Sequence, residues 1–305
     1  MSAIVGEPPA AIVALPRARL RGDRPRAGLS YLQALPLFAI MAVFLLVPVA
    51  TIVVVSFWDS SDFAPIPAFI LDNYRDVLFS ATTWTVYVQT IRYAVTVWAL
   101  TLGIGFTVAY FLAFHVRTTL WQMTLFQLCA IPFLTSNIIR MISWIPTLGR
   151  NGLVNQALMG LGLVRQPLEF LLYSDFSIVL TFVHLFTLFM VVPIFNTMTR
   201  IDRSLIEAAR DAGAGSWNVL RCVVVPLSLP GIAIGTIFVV TLVMGDFVTV
   251  QMMGGGQRAS VGVLMKNEMS LLQYPLAAAY AVVLLAVVLM MVWAILRVVD
   301  IRKEL

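Results

Sequence analysis

The sequence predicts an all-α, polytopic membrane protein with six transmembrane helices, and three observations predict it. Hydrophobic residues make up 60% of the 305 residues and charged residues only 11%. A soluble domain carries roughly 45–50% apolar and about 25% charged residues. Six stretches are apolar over about the 20 residues that a helix needs to cross the hydrocarbon. The 20 Lys and Arg residues fall mainly between those stretches, as they do in multi-span proteins.

The spans follow in order. The first runs from Ala34 to Phe57 without a charge, the second from Tyr93 to Phe114, and the third from Trp121 to Ile139, with an extension past Arg140 to Ile145. The fourth runs from Phe176 to Met198, the fifth from Val223 to Gly245, and the sixth from Ala277 to Leu296. Residues 1–30 read as a basic tail carrying Arg17, Arg19, Arg21, Arg24 and Arg26, and the apolar segment after it, 31–58, is too long for a signal-peptide core. It is expected to stay as a membrane anchor.

With both termini in the cytoplasm, thirteen of the twenty basic residues lie inside, among them Arg117, Arg200, Arg203, Arg210, Arg221, Arg297, Arg302 and Lys303. The reverse topology puts that larger set outside and conflicts with the positive-inside bias. Residues 59–85 then form an outer segment, 86–297 a helical core, and 298–305 a cytoplasmic tail. Residues 115–120 are short enough to make spans two and three a tight hairpin. Gly149–Asp175 and Gln251–Pro275 read as outer connections built from turns and short interfacial helices. Lys266 and Glu268 read there as solvated loop charges.

Several function classes are disfavoured. The net charge of +5 comes from topology, and nothing matches a nucleic-acid module. Cys129 and Cys222 have neither disulfide nor metal spacing and read as small buried hydrophobes. No GxxxxGK[ST] occurs, and Gly254-Gly255-Gly256-Gln257 lacks the lysine. His184 stands alone in span four and reads as a hydrogen-bonded packing residue. An intramembrane enzyme needs a catalytic constellation that the spans do not offer. An ion-gradient-driven secondary transporter commonly shows inverted repeats, and no convincing repeat is present. Pro48, Pro132, Pro146 and Pro193 are candidate helix kinks. Trp58, Trp84, Trp121 and Trp144 fall near span ends, as interfacial anchors do.

The connection between spans four and five, residues 200–226, is the most informative stretch. Ser204 is placed to cap a helix, with Glu207 at the capping-box position. Leu205, Ala208, Ala209 and Ala212 favour helix, and Gly213 and Gly215 break it. Ser216 is expected to cap a second helix leading to Pro226, Pro230 and span five. The spacing Glu207-Ala208-Ala209, Gly213, then Val223-x-Val225-Pro226 resembles the EAA loop of binding-protein-dependent ABC importer permeases, with Val in place of Ile and Leu.

That resemblance implies a type I importer permease fold and a transport subunit, not an enzyme. It implies a coupling helix made of Glu207, Ala208, Ala209, Arg210, Asp211 and Gly213, with Pro226 at the membrane entry, seated in a groove of an ABC ATPase dimer. Small alanines permit close approach, Glu207 offers a charge-assisted contact, and Gly213 lets the chain reverse. ATP and Mg belong to that partner, and no cofactor is expected in this chain. The other implied partners are a second related permease subunit, a periplasmic substrate-binding protein and membrane lipid, in a bacterial inner membrane.

The strings IPFLTSNIIRMISWIPTLGRNGLVN, MGDFVTVQMMGGG and NYRDVLF are similar to the B-type permeases of spermidine/putrescine importers. The resemblance implies a polyamine, with another small amine, opine or amino-acid-like solute as the alternative. The candidate pathway residues are Asp246, Trp144, Phe247, Asn137 and Arg140. An ionisable group at membrane depth is a functional hypothesis by default. A carboxylate with aromatic neighbours suits a polycation. Two readings of Asp246 stand: contact with solute, or neutralisation by Arg140, which is itself read as more structural than solute-binding.

Overall fold

The computed structural model describes residues 27–60, 65–116 and 118–298. The five N-terminal arginines, Arg117, Arg302 and Lys303, and with them the readings of the two tails, lie outside these residues. The chain divides into two units, 1–50 and 51–305. In the first, the described residues belong to helix α1 (Ala27–Val55). Its segment Leu35–Val55 is apolar enough to span a bilayer.

In the second unit a two-stranded ribbon, β1 (Asp59–Ser60) with β2 (Pro65–Ile66), precedes the short helix α2 (Asp72–Phe79). Buried Asn73 donates to the carbonyls of Ser56 (3.1 Å) and Trp58 (2.8 Å), so the NYRD string ties this segment down. Helix α3 (Ala81–Tyr110) continues through a π turn at Phe111–His115, giving 35 residues of helix. It starts twelve residues before the expected Tyr93, because Thr and Trp lower the hydropathy of its first turns without breaking the helix. Across the short connection Gln122 Nε2 donates to Leu112 O at 3.0 Å, as a tight hairpin requires.

The third span is not straight. Helix α4 (Thr119–Ala130) tightens into a 3₁₀ turn at Ile131–Leu134, and the chain resumes as α5 (Asn137–Ile142), α6 (Trp144–Leu148) and α7 (Leu153–Gly160). The two halves meet at 88°. Pro132 cannot donate to the carbonyl four residues back. Thr135 then ends the turn, its N–H (3.3 Å) and hydroxyl (2.7 Å) both donating to Pro132 O. The described residues therefore hold five long spans, or six when the bent pair counts as one.

The remaining spans are α8 (Asp175–Met198), α11 (Val225–Gly245) and α14 (Tyr274–Val298). Between α8 and α11 lie α9 (Arg203–Asp211), α10 (Ser216–Val219) and a π turn at Leu220–Val224. Helix runs without interruption from Ser216 to Gly245. The π turn sits just ahead of Pro226, whose ring crowds the carbonyl of Cys222; the wider turn relieves that crowding. After α11 come α12 (Val248–Met253) and α13 (Val261–Ser270).

The core forms where α3, α8 and α11 meet. Tyr93 and Val97, Ile178, Phe182, Leu185 and Met190, and Val239 and Met244 are fully buried there. In lipid, close backbone approach through small residues drives such packing. Gly231 and Gly235 supply it: a Cβ on Gly231 would lie 2.5 Å from Pro193 O, and one on Gly235 2.6 Å from Met190 Sδ. Cys129 and Cys222 are exposed, not buried, because composition alone does not say which face of a helix is covered. Lys266 and Glu268 stand on α13 and are half-buried, not loop charges; burial raises the Glu268 carboxyl above its ordinary range.

Replacing Gly231 with Val should push α11 off α8 and cost about 1–3 kcal/mol, the usual range for overpacking. Thermal unfolding in detergent and the amount of inserted protein measure this. Gly103→Ala, inside α3 where nothing lies within 4 Å of a new Cβ, is the matched control and should lower neither.

Candidate functional site

Two regions carry the candidate residues, one at each end of the Ser216–Gly245 helix. At its N-terminal end stands α9. Its cap is Asp202, not Ser204: the Asp202 carboxylate accepts from the Ser204 N–H at 2.9 Å. A carboxylate is the stronger acceptor, and its position two residues ahead of that N–H suits it. Ser216 likewise lies inside α10, whose cap position is Gly215. The hydrogen bond from the Ser204 backbone, joined by the Ser204 side chain, holds the Asp202 carboxyl below the ordinary carboxylate range.

The C-terminal end of α9 is closed by backbone geometry. Gly213 adopts φ +85°, its N–H donates to Arg210 O (2.8 Å), and Ala214 N–H donates to Ala209 O (3.0 Å). These two bonds are the Schellman pair, which needs a left-handed residue and therefore favours glycine. Glu207, Ala208, Arg210 and Asp211 stand on this capped helix, and Ala209 is partly buried against the core. Pro226 is exposed on the first turn of α11. Next to α9 a cavity of about 600 Å³ opens between α8 and α11, walled by Pro193, Asn196, Arg200, Leu205, Pro230 and Phe238.

At the other end, Asn137, Asp246 and Phe247 come together with Ser136, Ile138, Met141, Gly245 and Val248 around a recess of about 480 Å³. The recess lies beside the break in the third span, so the bend that ends α4 also creates the wall. Asp246 Oδ1 accepts from Thr249 N–H (2.9 Å) and Oδ2 from Thr249 Oγ1 (2.8 Å), which ties it to the first turn of α12.

Arg140 and Trp144 are not on that wall. Trp144 donates its Nε1 proton to His184 Nδ1 at 3.1 Å and meets its ring edge-on, so the two pack α6 against α8. His184 thus has the packing role that its isolation in span four implied. Arg140 is buried, with Nη2 donating to Asn137 Oδ1 and its guanidinium 4.6 Å above the Phe133 ring. The Arg140–Asp246 ion pair, one of the two readings of Asp246, is absent among the described residues: Asn137, three residues back on α5, and Phe133, across the break, take up the guanidinium instead.

Sequence reasoning missed a polar knot at the start of α8. Asp175 accepts from Arg92 Nη2 (2.6 Å) and Tyr93 Oη (2.6 Å), with Arg258 Nε at 3.4 Å and Gln89 Nε2 at 3.4 Å. The signal was present: an acidic residue at the first position of an apolar run, where the helix dipole favours it. Asn155 is a second buried tie, donating to Gly149 O (3.0 Å) and Leu168 O (3.2 Å) and accepting from Leu168 N–H (2.8 Å).

The described residues thus present a multi-span bundle with a capped loop helix at one end and a polar recess at the other. Residues 102–301 match the binding-protein-dependent transport system inner membrane component family, and the chain belongs to it. It is similar to the spermidine/putrescine transport system permease protein PotB of Escherichia coli K12, 27% identical over 270 residues, covering 87% of this chain and 97% of that protein. The inner membrane ABC transporter permease protein YdcU of the same organism is 29% identical over 229 residues, 71% of this chain and 72% of that one. A chain of a bacterial alginate ABC transporter, solved in complex with an alginate pentasaccharide-bound periplasmic protein, has a TM-score of 0.72 at 16% identity. That likeness covers 91% of this chain and 96% of the other. The chain is accordingly an ABC importer permease of the inner membrane, a transport component and not an enzyme.

Asp202 has a testable signature. Its depressed pKa means the cap stabilises α9 above the ordinary carboxylate pKa, and this contribution fades as pH falls through the depressed value. Amide protection factors over residues 203–206, corrected for the intrinsic pH dependence of exchange, should fall on acidification in the native chain. In Asp202→Asn, which keeps a capping oxygen but does not titrate, that loss of protection should be absent.

Proposed function

We propose that this permease imports a polyamine, taking its cationic solute through the recess at Asp246 and its driving force through α9. The observation that carries the solute assignment is the Asp246 carboxylate set beside the Phe247 ring on one wall. A carboxylate offers charge to an ammonium group, and an aromatic face adds cation–π attraction. The similarity to PotB supports the same solute class.

At the other end, α9 is the coupling helix. It carries Glu207 and Arg210 for charge-assisted contacts and two alanines for close approach, and the Gly213 turn fixes its exit. Its partner is an ABC ATPase dimer, which holds ATP and Mg. A second related permease subunit completes the pathway, and a periplasmic binding protein delivers solute. Both termini and α9 face the cytoplasm in this arrangement, which the basic residues Arg200, Arg203, Arg210 and Arg221 around the loop support.

Proteoliposomes holding the assembled importer test this. ATP-dependent uptake of spermidine or putrescine is expected, whereas uptake driven by an ion gradient without the ATPase contradicts the reading. Asp246→Asn keeps an acceptor oxygen for the Thr249 N–H but removes the charge, and should weaken apparent solute affinity about tenfold to a hundredfold, the span of a charge-assisted contact of about 1.5–3 kcal/mol. Glu207→Lys should leave the permease inserted, loosen the ATPase in pull-down and abolish uptake. Normal uptake by that variant would remove α9 from the coupling role.

A further inference from the structure

The cavity beside α9 joins an apolar groove to a charged mouth. The groove runs between α8 and α11. On α11, Leu227, Pro230, Ile234 and Phe238 recur at helical spacing along one face of it. Ile234 and Phe238 are exposed, as is Leu205 of α9. From Leu227 to Phe238 the groove is about 16 Å long at 1.5 Å per residue. One leaflet of the hydrocarbon core is about 15 Å deep, so the groove is as long as a leaflet is thick.

The mouth carries one charge of each sign. Arg200 and Asp202 both line it, and among the described residues neither belongs to an ion pair. Both are exposed. Asp202 Oδ1 accepts from the Ser204 N–H at 2.9 Å, and a carboxylate keeps further lone pairs for a second donor. The two charged groups sit at the end of the groove where α8 leaves the bundle and α9 begins.

These features discriminate among occupants. A polyamine is cationic along its whole length and is repelled by Arg200 as strongly as Asp202 attracts it. A helix of a second permease packs closely through small residues, whereas Pro, Ile, Leu and Phe make this wall. A phospholipid with a primary-amine headgroup answers each part. Its phosphate suits a guanidinium, its ammonium suits a carboxylate, and an acyl chain suits the groove. Basic pockets between spans on the cytoplasmic side hold lipid headgroups in this way.

Resting on the cytoplasmic placement of α9, we propose that this cavity binds an aminophospholipid of the inner leaflet, with its phosphate on Arg200, its ammonium on Asp202 and one acyl chain along Ile234 and Phe238. Asp202 caps α9 and Leu205 lies in its first turn. The headgroup therefore fastens the start of α9 to the membrane surface.

Native mass spectrometry of the assembled importer tests this, with phosphatidylethanolamine, phosphatidylcholine or phosphatidylglycerol added in detergent. All three have a phosphate and acyl chains, but only the first has an ammonium that donates a hydrogen bond to Asp202. The native importer should retain it about tenfold better than the other two. Arg200→Gln removes the phosphate contact, and Ile234→Trp fills the groove while leaving both charged residues in place. Each should lower that retention about tenfold. Equal retention of the three lipids by the native importer, a comparison that needs no variant, overturns the proposal, as does retention unchanged in either variant. Displacement of the lipid by spermidine would give the cavity to the solute, and retention only when the second permease is removed would give it to that subunit; either result also overturns it.

A membrane-impermeant maleimide separates this site from the reading on which it rests. Arg203→Cys, with Cys129 and Cys222 replaced by serine, should react only from the inner side of sealed vesicles. Reaction from the outer side overturns the cytoplasmic placement of α9 and the inner-leaflet site with it. Reaction from the inner side without a lipid preference overturns the lipid site alone.

Discussion

One uninterrupted helix joins the two ends of this permease. From Ser216 to Gly245 it covers 30 residues, about 45 Å at 1.5 Å per residue. The chain leaves the Gly213 turn, enters this helix, and emerges at Asp246. A backbone in hydrocarbon must satisfy its own polar groups, so the helix cannot soften in the middle without a large penalty. The two prolines that threaten it, Pro226 and Pro230, stand in the first turns of α11, just after the π turn. Gly231 and Gly235 then let the helix press onto Pro193 and Met190 of α8, so the two helices are closely packed at that crossing.

Beside this pair the third span is the broken element. Its break at Pro132–Ser136 is satisfied by Thr135 in place of a helical ladder, and it sits beside the recess. The recess wall therefore combines the end of the long helix, carrying Asp246 and Phe247, with the segment that follows the break, carrying Asn137 and Met141. In the proposed coupling, displacement of α9 by a partner would reach the side carrying Asp246 and Phe247 and change its separation from the side carrying Asn137 and Met141. Polar ties such as Asp175 with Arg92 and Tyr93 hold α3 and α8 together at the same end.

The legible parts of this design are those set by composition and spacing. Apolar length placed five spans within a few residues of their C-terminal ends, and the EAA spacing located α9 and its Gly213 turn. Neither signal carries orientation about a helix axis. Cys129 and Cys222 therefore face outward against expectation, and Trp144 turns to His184 instead of the recess. Competition among local partners was equally invisible: Asp202 outcompetes Ser204 for the cap, and Asn137 outcompetes Asp246 for Arg140. Pro132 was recognised as a kink, but a full break also needed the Thr135–Ser136 pair to close the helix behind it.

Spin-label distances test the rigid connection most directly. One pair, Trp217→Cys with Phe247→Cys, spans the long helix; the other, Ile138→Cys with Phe247→Cys, spans the recess, both with the native cysteines replaced by serine. The importer is assembled with its ATPase and compared with and without a non-hydrolysed ATP analogue. The first distance should stay fixed while the second changes. A first distance that alters with nucleotide, or a second that does not, would contradict a rigid link between the loop and the recess.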